Sequence, residues 1–309
     1  MKLGIDIGGS HVSIAVIDSN LKVKQCYKQS ILQNTMPKIV KYFESKIDEI
    51  IKKYEVTEIN ISVPGIIKDN KIQKSVNLGI ENVDIIKEFR KILEKYNMNH
   101  VEMKIRNDAE CAAITEHKLG CLKGYRNCVF ITLGTGIGSS IIIDNKIQNN
   151  AELGHTVIQQ NGRKCNCGKN GCFEQYASML NFKRQCKKYL KLPQNMKPKD
   201  IIEYLEVNIE KIEVKEVINK YIKYLAIGIS NIINILEPEA IGIGGSFVYF
   251  KDILLQPLID YIKINKLVFN EKYVINIQTA KYLNEAREYW KLYLRRTLWK
   301  RQEKAMEKH

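Results

Sequence analysis

A histidine and a group of cysteines stand close together in the middle of the chain. One His and three Cys fall within eighteen positions, at His155, Cys165, Cys167 and Cys172. Imidazole nitrogen and thiolate sulfur are the ligands of tetrahedral structural zinc sites. Gly168 and Gly171 allow the backbone to fold around an ion. The segment therefore predicts a Cys₃His zinc site.

Disulfide bonds are the alternative for these cysteines. The chain runs from Met1 directly into a patterned strand, without the architecture of a signal peptide, so we expect a cytoplasmic protein. A reducing compartment disfavours disulfides, and two cysteines separated by one residue are poorly placed to pair with each other. Zinc is the preferred interpretation. Cysteines without such spacing, expected to be small buried or surface residues, are Cys26, Cys111, Cys121 and Cys186.

A glycine turn with polar neighbours follows the first apolar strand. Its polar and glycine residues are Asp6, Gly8, Gly9 and Ser10. Glycine N–H groups can approach a phosphate closely, a serine can donate to it, and a carboxylate can hold hydrated Mg²⁺. A plain β-hairpin with a Gly-Gly turn is the alternative. The turn alone does not decide between them.

Two further glycine turns follow apolar strands. They contain Gly134, Thr135 and Gly136 in one case, and Gly244 and Gly245 in the other. The first of them leads into Ile141-Ile142-Ile143-Asp144, which has a strand pattern, whereas a Rossmann dinucleotide site requires a helix there. Three glycine turns after three strands predict loops that converge on one nucleotide.

Asn107 and Asp108 come just after another strand and just before an apolar run. Both residue types are favoured as helix N-caps, and this is one interpretation of the pair. A carboxylate at a strand end is also suited to accept the proton of an alcohol during phosphoryl transfer. The spacing leaves both interpretations open.

Predicted strands and predicted helices alternate along the chain, and they would position these residues. Strand patterns cover Lys2–Ile7, Glu58–Val63, Val101–Ile105, Cys128–Leu133 and Ala240–Ile243. Apolar residues from Ile39 to Tyr54, and again from Val217 to Leu236, each follow one helical stripe, and the second helix must end before Pro238. Alternating strands and helices predict an α/β fold.

A strand, a glycine turn and a second strand occur twice, over Met1–Asp18 and Cys128–Ile143. This repetition predicts two related α/β domains that face a shared cleft, with a compact junction near 107–113.

Composition bounds the class of protein. The 309 residues are 45% hydrophobic and 27% charged, as in soluble globular proteins, and no apolar run reaches the roughly 18 residues of a membrane span. The net charge of +15 suggests a nucleic-acid partner, but a basic-leaning surface is the alternative. Eight basic and three acidic residues lie in 287–309, so a third of the excess is in this segment. We expect neither a nucleic-acid nor a membrane partner.

Taken together, these motifs resemble the ROK family of sugar kinases and repressors, within the actin-like ATPase superfamily. The resemblance extends to about Ala286 and also includes Val63-Pro64-Gly65, Asn77-Leu78, Asn107-Asp108-Ala109 and Glu152-Leu153-Gly154-His155. It implies two actin-like ATPase (ribonuclease H-like) domains flanking a nucleotide and sugar cleft. The domains would be an N-terminal α/β domain over 1–110 and a larger α/β domain with the zinc motif over 111–286, followed by an atypical basic tail over 287–309.

The resemblance also implies an activity, the ATP-dependent phosphorylation of a hexose at its 6-hydroxyl, as in glucokinases, with Asp108 as the general base. Residues implied to bind the sugar are Gly65, Asn77, Asn107, Glu152, His155 and Glu174. Residues implied to bind the nucleotide and its metal are Asp6, Gly8, Gly9, Ser10, Gly134, Thr135, Gly136, Gly244 and Gly245. The implied cofactors are Mg-ATP and a structural zinc ion that shares His155 with the sugar, and the implied assembly is a homodimer or homotetramer.

Other members of the family define the alternatives. They are kinases of N-acetylmannosamine, fructose or another hexose, and a non-catalytic sugar-sensing regulator. Family repressors resemble the kinases with a helix-turn-helix domain added before the first glycine motif. The position of Asp6 leaves no room for such a domain, and Asp108 is intact, so we expect a kinase.

This chain also departs from the family pattern. Ser10 stands where Thr is usual, Ala151 where Gly is usual, and Ser139 and Ser140 replace glycines, so we expect adjusted geometry without loss of a chemical group. From Arg287 the chain lacks the Gly/Ala-rich helix of the family. We expect this tail to be non-homologous and to affect domain docking.

Overall fold

The structure is a computed structural model that describes residues 1–8, 11–19, 22–30, 35–75, 78–148 and 151–282. The described residues form two compact units, divided between Thr115 and Glu116. In neither unit is any described helix long and apolar enough to cross a membrane. The segment from Arg287, predicted to be an atypical tail, lies outside the described residues.

The first unit contains a mixed five-stranded sheet, two helices and the start of a third. Its elements are β1 (Lys2–Ile7), β2 (His11–Ile17), β3 (Val23–Ser30), α1 (Met36–Ile51), β4 (Glu58–Val63), β5 (Ile66–Lys68), β6 (Lys71–Ser75), β7 (Ile80–Val83), α2 (Ile85–Glu94), β8 (Glu102–Asn107) and α3 (Asp108–Leu119). The five strands lie in the order β3-β2-β1-β4-β8. Strands β5, β6 and β7 form a small separate sheet.

The second unit contains another five-stranded sheet with helices packed against it. Its elements are β9 (Cys128–Leu133), β10 (Ile137–Ile143), β11 (Lys146–Gln148), α4 (Glu174–Ala177), α5 (Met179–Tyr189), α6 (Pro198–Val207), α7 (Ile212–Leu236), β12 (Ala240–Gly245), α8 (Lys251–Ile264) and β13 (Ile277–Thr279). Short 3₁₀ turns cover Leu153–His155 and Ser246–Phe250. The strand order is β11-β10-β9-β12-β13.

The two large sheets share one topology. In each, three strands form an antiparallel meander and the first of them pairs in parallel with a later strand. The parallel register aligns Lys2 with Glu58 in one sheet and Cys128 with Ala240 in the other. The predicted repetition of a strand, a glycine turn and a strand is therefore present in both units, and the fold is a mixed α/β fold.

Each unit has its own apolar core. In the first, α1 buries Ile39, Phe43, Ile47 and Ile50 of the predicted stripe, whereas Tyr54 lies beyond the end of the helix at Ile51. Phe43 stacks on Phe89 of α2 with ring centroids 4.1 Å apart. In the second, α7 buries Tyr221, whose hydroxyl donates to the carbonyl of Ala177 at 2.9 Å. Helix α7 ends with Glu237 in a left-handed conformation (φ 43°), directly before Pro238, as the missing N–H of proline requires.

A buried carboxylate fixes the end of α3 to the last described segment of the chain. Glu116 has no exposed surface. Its carboxylate accepts hydrogen bonds from the N–H groups of Cys121 (2.8 Å), Lys281 (3.2 Å) and Tyr282 (2.7 Å). A buried carboxylate that accepts several N–H groups stabilises the fold, because its removal would leave the buried N–H of Cys121 without this acceptor.

We predict that Glu116→Ala lowers the melting temperature by about 4–8 °C, since the loss of about 2 kcal/mol in a unit of this size shifts the transition by that amount. Calorimetry of the purified variant measures the shift. The control is Glu206→Ala, which truncates an exposed glutamate of α6 and should leave the transition unchanged. Equal transitions for the two variants would contradict the structural role of Glu116.

Candidate functional site

The side chains predicted to bind zinc lie together. The ligand atoms of His155, Cys165, Cys167 and Cys172 all lie within 4.8 Å of one another. The Cys165 sulfur is 3.6 Å from Nδ1 of His155, and the sulfur atoms of Cys167 and Cys172 are 3.6 Å apart. A tetrahedral zinc ion with bonds of about 2.0–2.3 Å holds neighbouring ligand atoms roughly 3.3–3.8 Å apart. The donor set and its spacing therefore fit zinc.

The backbone that carries these side chains folds back on itself, and antiparallel bridges join its two arms. Short antiparallel bridges join Val157 to Cys172 and Lys164 to Asn170. Gly171 has φ of +80°, and a Cβ there would lie 1.8 Å from the carbonyl oxygen of Gln159. Only glycine fits this position, because both the left-handed conformation and the close approach exclude a side chain.

The thiols of the cluster differ in their environment. Burial is the largest influence on the pKa of the Cys167 thiol and acts to raise it, but hydrogen bonds from the backbone of Lys169 and from the other thiols lower this pKa below its usual value. Burial and hydrogen bonding to Cys167 raise the pKa of Cys172 to about 12. A bound cation favours the thiolate at each position. The amide of Gln175 also contacts the Cys165 sulfur, at 3.6 Å.

His155 presents its two ring nitrogens to different partners. Nδ1 faces the cysteines, and Nε2 lies 4.0 Å from a carboxylate oxygen of Glu152. Both side chains are partly exposed, His155 at 30% and Glu152 at 42%. A metal on Nδ1 fixes the orientation of the ring, so Nε2 and the Glu152 carboxylate can face one polar ligand together.

Glu174 links the zinc segment to the second glycine turn. It is the first residue of α4, and its carboxylate accepts a hydrogen bond from the N–H of Ile137 at 2.9 Å. A Cβ on Gly136 would lie 2.2 Å from this carboxylate. Glycine at this position therefore allows the carboxylate to lie against the turn.

The second and third glycine turns lie side by side. Strands β9 and β12 are parallel, which aligns Gly245 with Leu133 at the same end of the sheet. Gly245 has φ of +73°, and a Cβ there would lie 2.5 Å from the carbonyl oxygen of Leu133. Thr135 is exposed between the two glycines of its turn, Gly134 and Gly136. These two turns are therefore neighbours at one end of the same sheet.

Asp6 lies at the end of β1 and is 3% exposed. A carboxylate oxygen of Asp6 is 3.2 Å from Nε2 of His11. The N–H of Gly8 donates to the carbonyl of His11 at 2.8 Å, and the His11 ring covers Gly8 so closely that a Cβ would lie 2.6 Å from it. The other two predicted residues of this turn, Gly9 and Ser10, lie outside the described residues, as does Asn77.

Asn107 caps α3. Its side-chain oxygen accepts from the N–H groups of Ala109 (2.8 Å) and Glu110 (3.4 Å), and its amide group donates to the carbonyl of Gly65 at 2.7 Å. Asp108 is the first helical residue, half-buried, and its carboxylate also accepts from Ala109 at 2.9 Å. The predicted helix N-cap of this pair is therefore Asn107.

An ion pair joins the end of β8 to the start of α3, and the sequence motifs did not predict it. Arg106 and Glu110 approach to 3.4 Å and are 13% and 7% exposed. Glu110 is four residues beyond Arg106, a spacing that brings charges together on a helix but gives no signal when the first residue is in a strand. The pair stabilises the junction that carries Asp108.

The five cysteines outside the cluster do not lie together with it. Cys26 is exposed, whereas Cys111, Cys121, Cys128 and Cys186 are buried, and burial raises the pKa of each of these four thiols. The value for Cys186 is about 12. Such thiols are unreactive at neutral pH, which agrees with the prediction that they are not ligands or nucleophiles.

The comparison with known proteins places this arrangement in a family. The model of the ROK family matches residues 2–289. The chain belongs to the ROK family. Its identity to the xylose repressor of Bacillus subtilis (strain 168) is 30% over 261 residues, which cover 80% of this chain and 64% of the repressor. The chain thus spans less than two thirds of that repressor.

Other relatives of this chain are sugar kinases. The glucokinase of Streptomyces coelicolor is 28% identical over 281 residues, covering 84% of this chain and 86% of the glucokinase. A ROK family glucokinase from Streptomyces griseus, solved with glucose and AMPPNP, superposes with a TM-score of 0.78 at 20% identity over 95% of this chain and 98% of that one. The ROK chain described here has the actin-like ATPase fold, and the relatives to which it is similar include both repressors and kinases.

We predict that the purified ROK protein binds about one zinc ion per chain and that Cys172→Ala abolishes this binding, because a tetrahedral site loses a ligand. Elemental analysis measures the metal content. Cys26→Ala is the matched control, since Cys26 lies outside the cluster on β3 and its loss should leave the zinc in place.

Acidification should release the ion, because the thiolates and the imidazole must be deprotonated to bind it. A strong chelator applied to the wild-type protein tests the same site without a substitution. Wild-type protein that takes up no zinc on reconstitution, or Cys172→Ala that retains it, would contradict the zinc assignment.

Proposed function

We propose that the protein is an ATP-dependent hexose kinase that phosphorylates the 6-hydroxyl, as glucokinases do. The observation that carries the proposal is the placement of Asp108. Asp108 is the first residue of α3 and is half-buried, and this is the position at which the family resemblance puts the general base. A similarity to glucokinases over most of the chain supports the same function.

In the proposed reaction Asp108 accepts the proton of the 6-hydroxyl as its oxygen attacks the γ-phosphorus of ATP. The bond between that phosphorus and the β,γ-bridging oxygen breaks, and ADP leaves. Mg²⁺ bound with ATP would neutralise the phosphate charge. Asp6 and Ser10 are proposed to hold this hydrated ion, and the buried carboxylate of Asp6 has the chemistry to do so.

The sugar is proposed to contact backbone, amide, carboxylate and imidazole groups. The residues that would supply them are Gly65, Asn77, Asn107, Glu152, His155 and Glu174. Carboxylates accept strong hydrogen bonds from hydroxyl donors, and the Nε2 atom of His155 adds a directional partner. The proximity of Glu152 to His155 supports a shared role in recognition.

The nucleotide is proposed to lie against the glycine turns. Gly8 and Gly9, with Gly134, Thr135 and Gly136, would approach the phosphates, while Gly244 and Gly245 would lie near the adenosine. The adjacency of the second and third turns at one end of a sheet supports this assignment. Backbone N–H groups at such turns bind phosphate because no side chain intervenes.

Zinc is proposed to be structural. Four protein ligands leave no open position for a water or a substrate, so the ion would shape the sugar pocket through His155 and take no part in proton transfer.

A sugar-responsive regulator is the second candidate. The observation that favours it is the 30% identity to a xylose repressor over 80% of this chain. Such a protein would bind a sugar through the same second-unit residues without needing Asp108. The kinase and the regulator therefore differ in turnover, and sugar binding alone does not separate them.

We predict sugar-dependent ADP release from Mg-ATP with at least one member of a panel of glucose, N-acetylmannosamine, N-acetylglucosamine, fructose and allose. Xylose, which has no 6-hydroxyl, is tested for binding alone. A coupled assay of ADP measures the turnover, and calorimetry without nucleotide measures sugar binding separately. Sugar binding without ADP release from zinc-loaded protein would contradict the kinase proposal and favour the regulator.

We further predict that Asp108→Asn lowers kcat by about a thousandfold or more, because the base is lost, while the dissociation constant of the sugar changes only a few-fold. Asp84→Asn is the matched control. Asp84 caps α2 in the same unit by accepting from Lys87, and asparagine preserves a cap. Substantial turnover by Asp108→Asn would show that Asp108 is not the base.

A further inference from the structure

One serine hydroxyl holds the backbone on both sides of Glu152. Ser139 lies in β10 and is 5% exposed. Its Oγ donates to the carbonyl oxygen of Ala151 at 2.6 Å and accepts from the N–H of Leu153 at 2.9 Å. These two groups belong to the residues immediately before and after Glu152. A single side chain therefore fixes the peptide groups that flank this glutamate.

The backbone of Glu152 needs such a support. Its φ of −107° and ψ of 52° lie outside the helical and strand regions. Its carbonyl accepts the N–H of His155 at 3.0 Å, which closes the 3₁₀ turn Leu153–His155. The orientation of Glu152 is thus coupled to the position of His155 through one short turn.

Strand β10 supports this turn at a second point. A Cβ on Gly154 would lie 2.3 Å from the carbonyl oxygen of Ile137, so the turn packs directly on the strand backbone. Ile137 and Ser139 are two residues apart, a spacing that places their side chains on the same face of the strand. The Ile137 N–H also donates to Glu174. The start of β10 therefore holds Glu152, His155 and Glu174.

We propose that Ser139 is a positioning residue for sugar recognition. Its hydroxyl holds Ala151 and Leu153 so that the carboxylate of Glu152 and the Nε2 atom of His155 face neighbouring hydroxyls of one sugar. The inference rests on the proposed function, which assigns Glu152 and His155 to the sugar. Ser139 itself does not contact substrate and acts through the backbone of Glu152.

The next residue provides a matched control. Ser140 is fully buried in the same strand, and its Oγ has no hydrogen-bond partner among the described residues. Ser140→Ala removes a hydroxyl group from the neighbouring residue without breaking a hydrogen bond of the described structure. The two alanine variants therefore separate the loss of the two hydrogen bonds of Ser139 from the loss of a buried oxygen.

The test measures sugar affinity by calorimetry without nucleotide, using glucose or the panel sugar that the wild-type protein binds most tightly. Ser139→Ala should weaken this affinity about tenfold or more, leave the KM for ATP within about twofold, and retain zinc. Ser140→Ala should match the wild type. Ser139→Thr, which keeps a hydroxyl, should restore much of the affinity.

Hydrogen exchange provides a second readout that does not depend on sugar binding. Ser139→Ala should accelerate deuterium uptake in residues 151–156, because the Leu153 N–H loses its acceptor, and Ser140→Ala should not. Unchanged exchange would overturn the inference. Faster exchange with unchanged sugar affinity would also overturn it, since the hydroxyl would then act on local stability alone.

The outcomes distinguish this inference from the proposed function. Wild-type protein that binds none of the panel sugars overturns both. Wild-type protein that binds and phosphorylates a sugar, with Ser139→Ala equal to it in affinity, overturns the positioning role and leaves the kinase proposal in place.

Discussion

The grouping of one imidazole and three thiols within 4.8 Å is the constraint on which the order of residues 151–172 depends. Residues 151–172 contain few apolar side chains, so this segment cannot be ordered by a core of its own. Cys165 and Cys172 are buried, and a cation at their sulfur atoms would supply the cohesion that hydrophobic packing does not. Phe173 anchors the segment on α7, where its ring lies 2.2 Å from the position that a Cβ of Gly228 would take.

The same segment is held to the sheet by polar contacts with β10. Ser139, the backbone of Ile137 and the carboxylate of Glu174 form a continuous connection from the second glycine turn to the zinc ligands. A movement of the turn at Gly136 would therefore move Glu174, because the carboxylate and the turn are in direct contact. The second glycine turn and the segment that contains the predicted zinc ligands are therefore joined by direct contacts.

The pattern of neighbouring residues in the sequence predicted much of the fold. It could not predict hydrogen bonds between residues that are far apart in the sequence. The strands β1, β4 and β9 have the predicted bounds, since each is a short apolar run ended by a glycine or proline turn. The grouping of His155 with Cys165, Cys167 and Cys172 was predictable because rare residue types crowd together in sequence. The role of Ser139 was not, because its partners are twelve and fourteen residues away and a serine in a strand has no distinctive pattern. The acceptor role of Glu116 toward Tyr282 is similarly invisible, at a separation of 166 residues.

The residues proposed to act on the sugar are distributed over both units of the chain. Glu152, His155 and Glu174 belong to the second unit, whereas Gly65, Asn107 and the proposed base Asp108 belong to the first. The fold alone does not choose between a kinase and a regulator, because glucokinases and xylose repressors are both similar to this chain. A regulator needs only the sugar-binding set, so it places no demand on a carboxylate at the start of α3. A kinase also needs a proton acceptor, so the two proposed functions differ at Asp108. In the structure this carboxylate accepts the N–H of Ala109 at the start of α3, and in the proposed reaction it would accept the proton of the sugar hydroxyl.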